Sequence, residues 1–142
     1  MYFQGEFYNS VAHAYMAAKT EDPVLKRRIL KAPTYKEMQQ VAQLVSEPLD
    51  WKQRRLQIML ILTRDKFRRN REIRERLLQT GSKLLKNTLL IRSSAEATEE
   101  KLFWGVYSQG KAILGQNKLG ELLEQVRATI ASETEITYWI NS

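Results

Sequence analysis

The chain's single histidine, His13, lies in the stretch Tyr8-Asn9-Ser10-Val11-Ala12-His13-Ala14-Tyr15-Met16-Ala17-Ala18-Lys19. Asn9 or Ser10 can accept a backbone N–H bond at a helix N-terminus, so the spacing predicts a helix starting here. Val11, Ala14, Tyr15 and Ala18 recur at helical spacing and form its apolar face. Residues 12 and 19 are seven apart, which puts them on one stripe about 10 Å apart along the axis. Unpaired N–H groups and the positive dipole end at such a helix start suit phosphate or carboxylate chemistry, and Lys19 adds a cation. Further along, Trp104 offers a planar ring on which a base or similar heterocycle can stack.

Other chemistries are closed by composition. With no cysteine there are no disulfides, thiol nucleophiles or thiolate metal sites. One histidine excludes a multi-histidine metal centre, and no carboxylate loop is spaced for magnesium or calcium. Neither a Ser-His-Asp triad nor a Walker loop occurs. No apolar run approaches the roughly 18 residues of a membrane span, and no basic-then-apolar leader opens the sequence. At 142 residues, 43% apolar and 27% charged, the expectation is one cytoplasmic globular domain over 1–142.

The net charge of +7 is concentrated: Lys52 to Arg76 holds ten basic residues against Asp65, Glu72 and Glu75, the whole of the excess. Such a segment favours an anionic partner, nucleic acid or a phosphorylated nucleotide. A pair of solvated helix faces would give the same pattern.

Several elements must position these groups. Tyr2, Phe3, Phe7 and Tyr8 around Gly5 suggest a short β-hairpin, although Tyr-Phe-Gln-Gly also resembles a protease-cleavage scar. Asp22-Pro23 opens a helix towards Lys31, and Thr34 with Glu37 opens another that stops before Pro48 and buries Met38, Val41, Ala42 and Val45. Asp50 is expected to cap the longest helix, Trp51 to about Arg68, whose apolar centre should cross the middle of the domain. Trp51 and Met59 read as core. Asn70 or Arg71 to Gln79 forms a helix stopped at Thr80-Gly81. Lys83 to Arg92 reads as one or two short strands, and Ser93 to Glu100 as a loop ending in Phe103-Trp104-Gly105. After a short connection, Asn117 should cap the last helix, with Leu119, Leu122, Leu123, Val126 and Ile130 inward.

In order along the chain stand Gln4-Gly5-x-x-Tyr8-x-Ser10-Val11-Ala12-His13-x-Tyr15-x-Ala17-x-Lys19, then Asp50-Trp51, Met59 and Lys66-Phe67, then Leu77-Leu78-x-Thr80-Gly81. Phe103-Trp104-Gly105 follows, with Gly115-Gln116-Asn117-x-Leu119-Gly120 and Arg127. From Gln4 to Arg127 this series resembles the NADAR superfamily of YbiA-like N-glycosidases. The resemblance implies a mainly α (α+β) single domain of about six helices with a small β hairpin or sheet. It also implies hydrolysis of an N-glycosidic bond without a cofactor or metal. Substrate classes known for the superfamily are early riboflavin-pathway intermediates and ADP-ribose attached to guanine in DNA. The second reverses DNA ADP-ribosylating toxins, so the implied partners are an ADP-ribose-containing ligand or ADP-ribosylated DNA, with functional pairing to a DNA ADP-ribosyltransferase toxin.

Site residues follow from the same resemblance: Tyr8, His13, Lys19, Trp104, Gly105 and Asn117 at the substrate, with the first helix and the Trp-Gly turn across a sugar pocket. A lone histidine is more often a hydrogen-bonded structural group, and here it would lock the helix start. Two departures concern catalysis. The family glutamate, best candidate for general base, is replaced by Ala12, whose methyl group can neither take nor give a proton. This is either an inactivating substitution made to trap substrate, favoured because its neighbours survive, or natural loss or relocation of catalysis. Where the family has an aspartate three residues before the Trp there is Lys101, and Glu100 beside it is the substitute carboxylate. The family's upstream Phe-x-Ser-Asn-Phe segment has no match before Gln4. With a nucleic-acid preference from the basic segment, the leading expectation is an N-glycosidase of ADP-ribosylated DNA. Hydrolysis of a phosphorylated ribosylamino-pyrimidine, or a non-catalytic ADP-ribose or nucleic-acid binder, are the alternatives.

Overall fold

The computed structural model describes the backbone of residues 2–3 and 6–141, and the side chains of residues 8–133. The chain divides into two compact units, 1–70 and 71–142.

In the first unit, strands β1 (Tyr2–Phe3) and β2 (Glu6–Phe7) pair antiparallel, with Tyr2 opposite Phe7. Helix α1 (Val11–Ala18) starts where Ser10 caps it, the hydroxyl accepting the His13 backbone N–H at 3.1 Å. Asp22 caps α2 (Pro23–Lys31), its carboxylate accepting the N–H groups of Val24 and Leu25, and Pro23 occupies the first turn where its missing N–H costs nothing. Thr34 caps α3 (Tyr35–Ala42) through the Glu37 N–H. This helix ends at Ala42, earlier than Pro48 alone would demand, and buries Met38 and Ala42 while Val41 and Val45 are only half-buried. Helix α1 packs on α2, α3 and α4 (Trp51–Arg69), with Ala14, Tyr15, Ile29, Met38, Trp51 and Leu62 as the core of the unit.

Two expectations for α4 are corrected. Asp50 makes no capping bond; its carboxylate instead takes the Arg54 Nε–H at 2.9 Å, because its backbone is not in the extended conformation of a capping residue. Nor is the apolar centre buried all round. One stripe through Trp51, Arg55, Leu62 and Thr63 is covered, while Leu56 and Ile61 face solvent. A continuous apolar run carries no phase, so it cannot say which side is covered.

In the second unit, α5 (Arg71–Gln79) ends at Gly81, whose φ of +62° makes the left-handed turn. The predicted strands over Lys83–Arg92 are not formed. The segment runs irregularly with one parallel bridge, Thr88 to Val106, and is held by Leu89 N–H to Val106 carbonyl and Val106 N–H to Asn87 carbonyl. The predicted loop is corrected too: a 3₁₀ turn (Ser94–Glu96) precedes α6 (Glu99–Trp104), which Thr98 caps through the Lys101 N–H. Thr98 followed by Glu99 and Glu100 is an ordinary helix start. This helix makes seven among the described residues. The connection after Gly105 is a hairpin of β3 (Tyr107–Gln109) and β4 (Ala112–Leu114) turning at Gly110, φ +61°. The chain closes with α7 (Lys118–Asn141), packing on α5 and α6 and burying Leu122, Val126 and Ile130 at four-residue spacing, while Leu119 and Leu123, also expected inward, are only half-buried. The mainly α fold with small β elements is the class the sequence implied.

Candidate functional site

The candidate residues fall in two groups, one in each unit. In the first, Tyr8 and His13 are each only 3% exposed. The Ala32 carbonyl can only accept, so His13 Nε2, 3.2 Å away, carries the proton; Nδ1, 2.6 Å from the Ser10 hydroxyl, then accepts. The Asn9 side-chain amide donates to the same carbonyl at 3.0 Å. Both imidazole nitrogens are thus committed to holding the start of α1 against the end of α2. His13→Ala should therefore lower stability by about 1–3 kcal/mol, read in a urea titration, since a buried side chain and its two bonds, to Ser10 and to the Ala32 carbonyl, are lost. An unchanged midpoint would remove the clamp.

With Ala14, Tyr15 and Ala17 facing inward, Ala12, Met16 and Lys19 form the half-exposed stripe of α1. Lys19 is the C-cap residue, and its ammonium stands 5.9 Å from the centre of the Trp51 ring. Arg54 lies 5.7 Å from the same ring, which is itself fully buried and tilted on Tyr15 with 5.0 Å between centroids. The sequence singled out neither Arg54 nor its pairing with Asp50. The only available signal was their i, i+4 spacing at the start of α4.

In the second unit, the buried Trp104 donates its indole N–H to the Glu100 carboxylate at 2.9 Å and meets Phe103 edge-on. Gly105 is extended, and a Cβ there would strike the Asn87 carbonyl and the Leu89 side chain. Its own carbonyl accepts the Asn117 N–H at 3.3 Å, while Gln116 N–H reaches the Leu102 carbonyl at 2.6 Å. The two Gly-containing motifs thereby close the base of the β3–β4 hairpin. Asn117 occupies the position before α7, and its carbonyl starts the helix through Glu121, but its side chain does not cap it. At φ +54° the amide turns away: Oδ1 accepts the Asn87 N–H and Nδ2 donates to the Leu85 carbonyl, both at 2.8 Å. Gly120 leaves room for that bridge, since a Cβ there would meet the Leu85 carbonyl and the Asn117 amide. Arg127, 9% exposed, gives Nη1 to Thr80 Oγ1 and to the Lys83 carbonyl. Asn87 was not foreseen, because an asparagine in an irregular segment has no periodicity to mark it.

The basic segment is less open than its composition suggests. Arg55 is buried, and Asp65, Glu72 and Glu75 are paired with Arg69, Arg76 and Arg71. Among the described residues no group of three acidic or histidine side chains could hold a metal, and no helix is long and apolar enough to cross a membrane.

The NADAR domain model matches residues 1–131. The chain belongs to the NADAR domain family. A riboflavin biosynthesis protein of Vibrio vulnificus is 30% identical over 128 residues, covering 87% of this chain and 31% of that protein. This NADAR chain therefore spans about a third of that relative's length. N-glycosidase YbiA of Shigella boydii is 28% identical over 131 residues, 91% of this chain and 74% of its own. The NMR structure of the E. coli protein YbiA matches with a TM-score of 0.73 at 26% identity, over 92% of this chain and 72% of that one. The polar clamps described above thus lie within the matched part of a NADAR domain.

Proposed function

We propose that this NADAR domain is an N-glycosidase scaffold for ADP-ribose attached to a nucleobase, guanine in modified DNA, with turnover suppressed by Ala12. The observation that carries this reading is the half-exposed stripe of α1, rigidly clamped at its start and carrying residue 12 and Lys19 about two turns apart. A phosphate at Lys19 sets the attached ribose along the helix, bringing its C1 towards residue 12. With a carboxylate there, water bonds to C1 as the C1–N bond breaks. The carboxylate takes the water's proton, and the departing base nitrogen is protonated in turn. The oxocarbenium-like state gains from the negative charge. The similarity to N-glycosidase YbiA supports the bond type. The net charge of +7 supports a nucleic-acid substrate. A DNA ADP-ribosyltransferase would supply that substrate.

Glu100 is the second candidate carboxylate, oriented by the Trp104 indole N–H. Glu100→Gln keeps an acceptor for that N–H and removes the charge. Turnover measured in an Ala12→Glu background should fall at least about a hundredfold, within the range of general acid–base effects, with ADP-ribose affinity held. Equal turnover would leave Glu100 a structural partner of Trp104.

The similarity to the Vibrio riboflavin biosynthesis protein favours a second reading, hydrolysis of a phosphorylated ribosylamino-pyrimidine. Ala12 itself favours a third, a binder of ADP-ribose that does not turn over. The deciding experiment offers the Ala12→Glu protein ADP-ribosylated oligonucleotide and the small pyrimidine side by side. Release from DNA supports the first reading, activity only on the pyrimidine the second, and binding without turnover the third.

A further inference from the structure

The β3–β4 hairpin of the second unit ends in an uncovered edge. On the β3 side the segment around Thr88 already stands, bridged to Val106 just ahead of the strand. Among the described residues no strand stands on the outer side of β4. The two-residue turn Gly110-Lys111, with glycine at positive φ in the first central position, makes Gln109 and Ala112 the closing hydrogen-bonded pair. Bonded and non-bonded pairs alternate along an antiparallel ladder, so Ser108 and Ile113 exchange no bonds. The N–H and carbonyl of Ile113 therefore point away from β3, to the open edge. Sheet edges are usually blunted by charge, proline or a bulge. Here the β3–β4 register is unbroken, and Ala112-Ile113-Leu114-Gly115-Gln116 contains no charged residue and no proline. All three strand residues are exposed, Ile113 to 62%.

We propose that a second copy of this chain covers this edge, the two β4 strands pairing antiparallel about a twofold axis at Ile113. The register is self-complementary, as an isologous contact requires. Ile113 meets its own counterpart, and the two exchange both outward-pointing backbone groups. Ala112 then stands opposite the partner's Leu114, and Lys111 opposite the partner's Gly115, so no like charges meet across the new ladder. On one face of the joined sheet the two isoleucines lie side by side; on the other each leucine covers an alanine. A charged partner would find only Lys111 to pair with on this edge. The net charge of +7 on each copy opposes association, and salt screens that repulsion, so the contact tightens as salt rises. Binding to a polyanion does the reverse. Three strand residues per copy bury well under the roughly 800 Å² per partner of a standard interface, so the dimer is weak and reversible. Pairing also steadies the turn that carries Trp104, because Gln116 and Asn117, just past β4, are bonded to the Leu102 and Gly105 carbonyls.

Sedimentation velocity on the full chain tests this. A monomer–dimer equilibrium should appear with a dissociation constant of about 10–500 μM, as suits a contact this small, and should tighten between about 50 and 500 mM salt. Ile113→Lys sets two ammonium groups directly opposite each other at the axis and should weaken the dimer at least about tenfold, while Ile113→Val keeps it. The side chain is exposed, so both variants should fold, which a thermal melt checks. The sequence has no cysteine, so one introduced thiol reports the register by itself. Ile113→Cys places the two Cα atoms about 5.5 Å apart, inside the disulfide range, and should cross-link the copies on oxidation well ahead of Gln109→Cys on the far strand. A chain that is monomeric throughout, or a dimer that loosens with salt, would overturn the proposal. So would a dimer that Ile113→Lys leaves intact and that cross-links no faster through residue 113 than through residue 109.

Discussion

Ala12→Glu should raise release of ADP-ribose from ADP-ribosylated DNA by about 10²–10⁴-fold, the usual contribution of a positioned general base, if the proposed function holds. The site can receive the larger side chain, because residue 12 is on the half-exposed stripe and not among the buried positions of α1. The fold should tolerate the charge as well. The first turn of α1 contains no acidic residue, so a glutamate there meets the positive helix end, an interaction worth about 0.3–1 kcal/mol. Because the same change should add stability, the shift in unfolding midpoint is measured alongside, and only a rate gain beyond it reports catalysis. A well-folded Ala12→Glu protein with no activity on modified DNA or on the small pyrimidine would end the catalytic reading. In the active variant, charge reversal of Arg68, Arg69 and Arg71 together should reduce DNA turnover and flatten its salt dependence, leaving free ADP-ribose binding unchanged. Persistence of the salt dependence would withdraw the reason for preferring DNA.

Asn117→Ala should destabilise the protein by about 2–5 kcal/mol in a urea titration, the larger of the structural effects. The change strips the Asn87 N–H and the Leu85 carbonyl of their partners at once. It also leaves a Cβ-bearing residue without local compensation at φ +54°. Two further variants separate these costs. Asn117→Gly relieves the backbone and still loses both bonds, so it should recover about 1–2 kcal/mol. Asn117→Asp keeps the acceptor for Asn87 but sets an oxygen against the Leu85 carbonyl, and should fall between. If Asn117→Ala shifts the midpoint by no more than a surface substitution does, about 0.5 kcal/mol, the bridge is not holding the motif.

Helix starts were the most legible part of the chain. Asp22 and Thr34 each announce an N-terminus by chemistry contained within three residues and cap as expected, and of Asn9 and Ser10, both eligible at α1, it is Ser10 that caps. Thr98 carries the same signal, but the small polar residues before it extend the composition of a loop up to the cap and mask it. What spacing could not supply was phase and partner. The apolar centre of α4 has no polar side, so which residues are covered depends on what packs against it. Lys83 to Arg92 is apolar enough for strands, but a strand needs a neighbour to pair with, and only Thr88 finds one. Asp50 and Asn117 both stand at cap positions and both send their side chains elsewhere, Asp50 to Arg54 and Asn117 to the 85–87 segment.

Through motif and periodicity, the sequence by itself determined the family resemblance, the helical class and the presence of an alanine at residue 12. All of these are properties of residue type at fixed spacing. Tertiary structure decided that His13 is spent on a clamp, that Arg54 joins Lys19 beside Trp51, and that Asn117 is a bridge and not a cap. Those outcomes turn on which distant backbone carbonyl or aromatic ring is brought within hydrogen-bonding or stacking reach. That is fixed only when the elements pack.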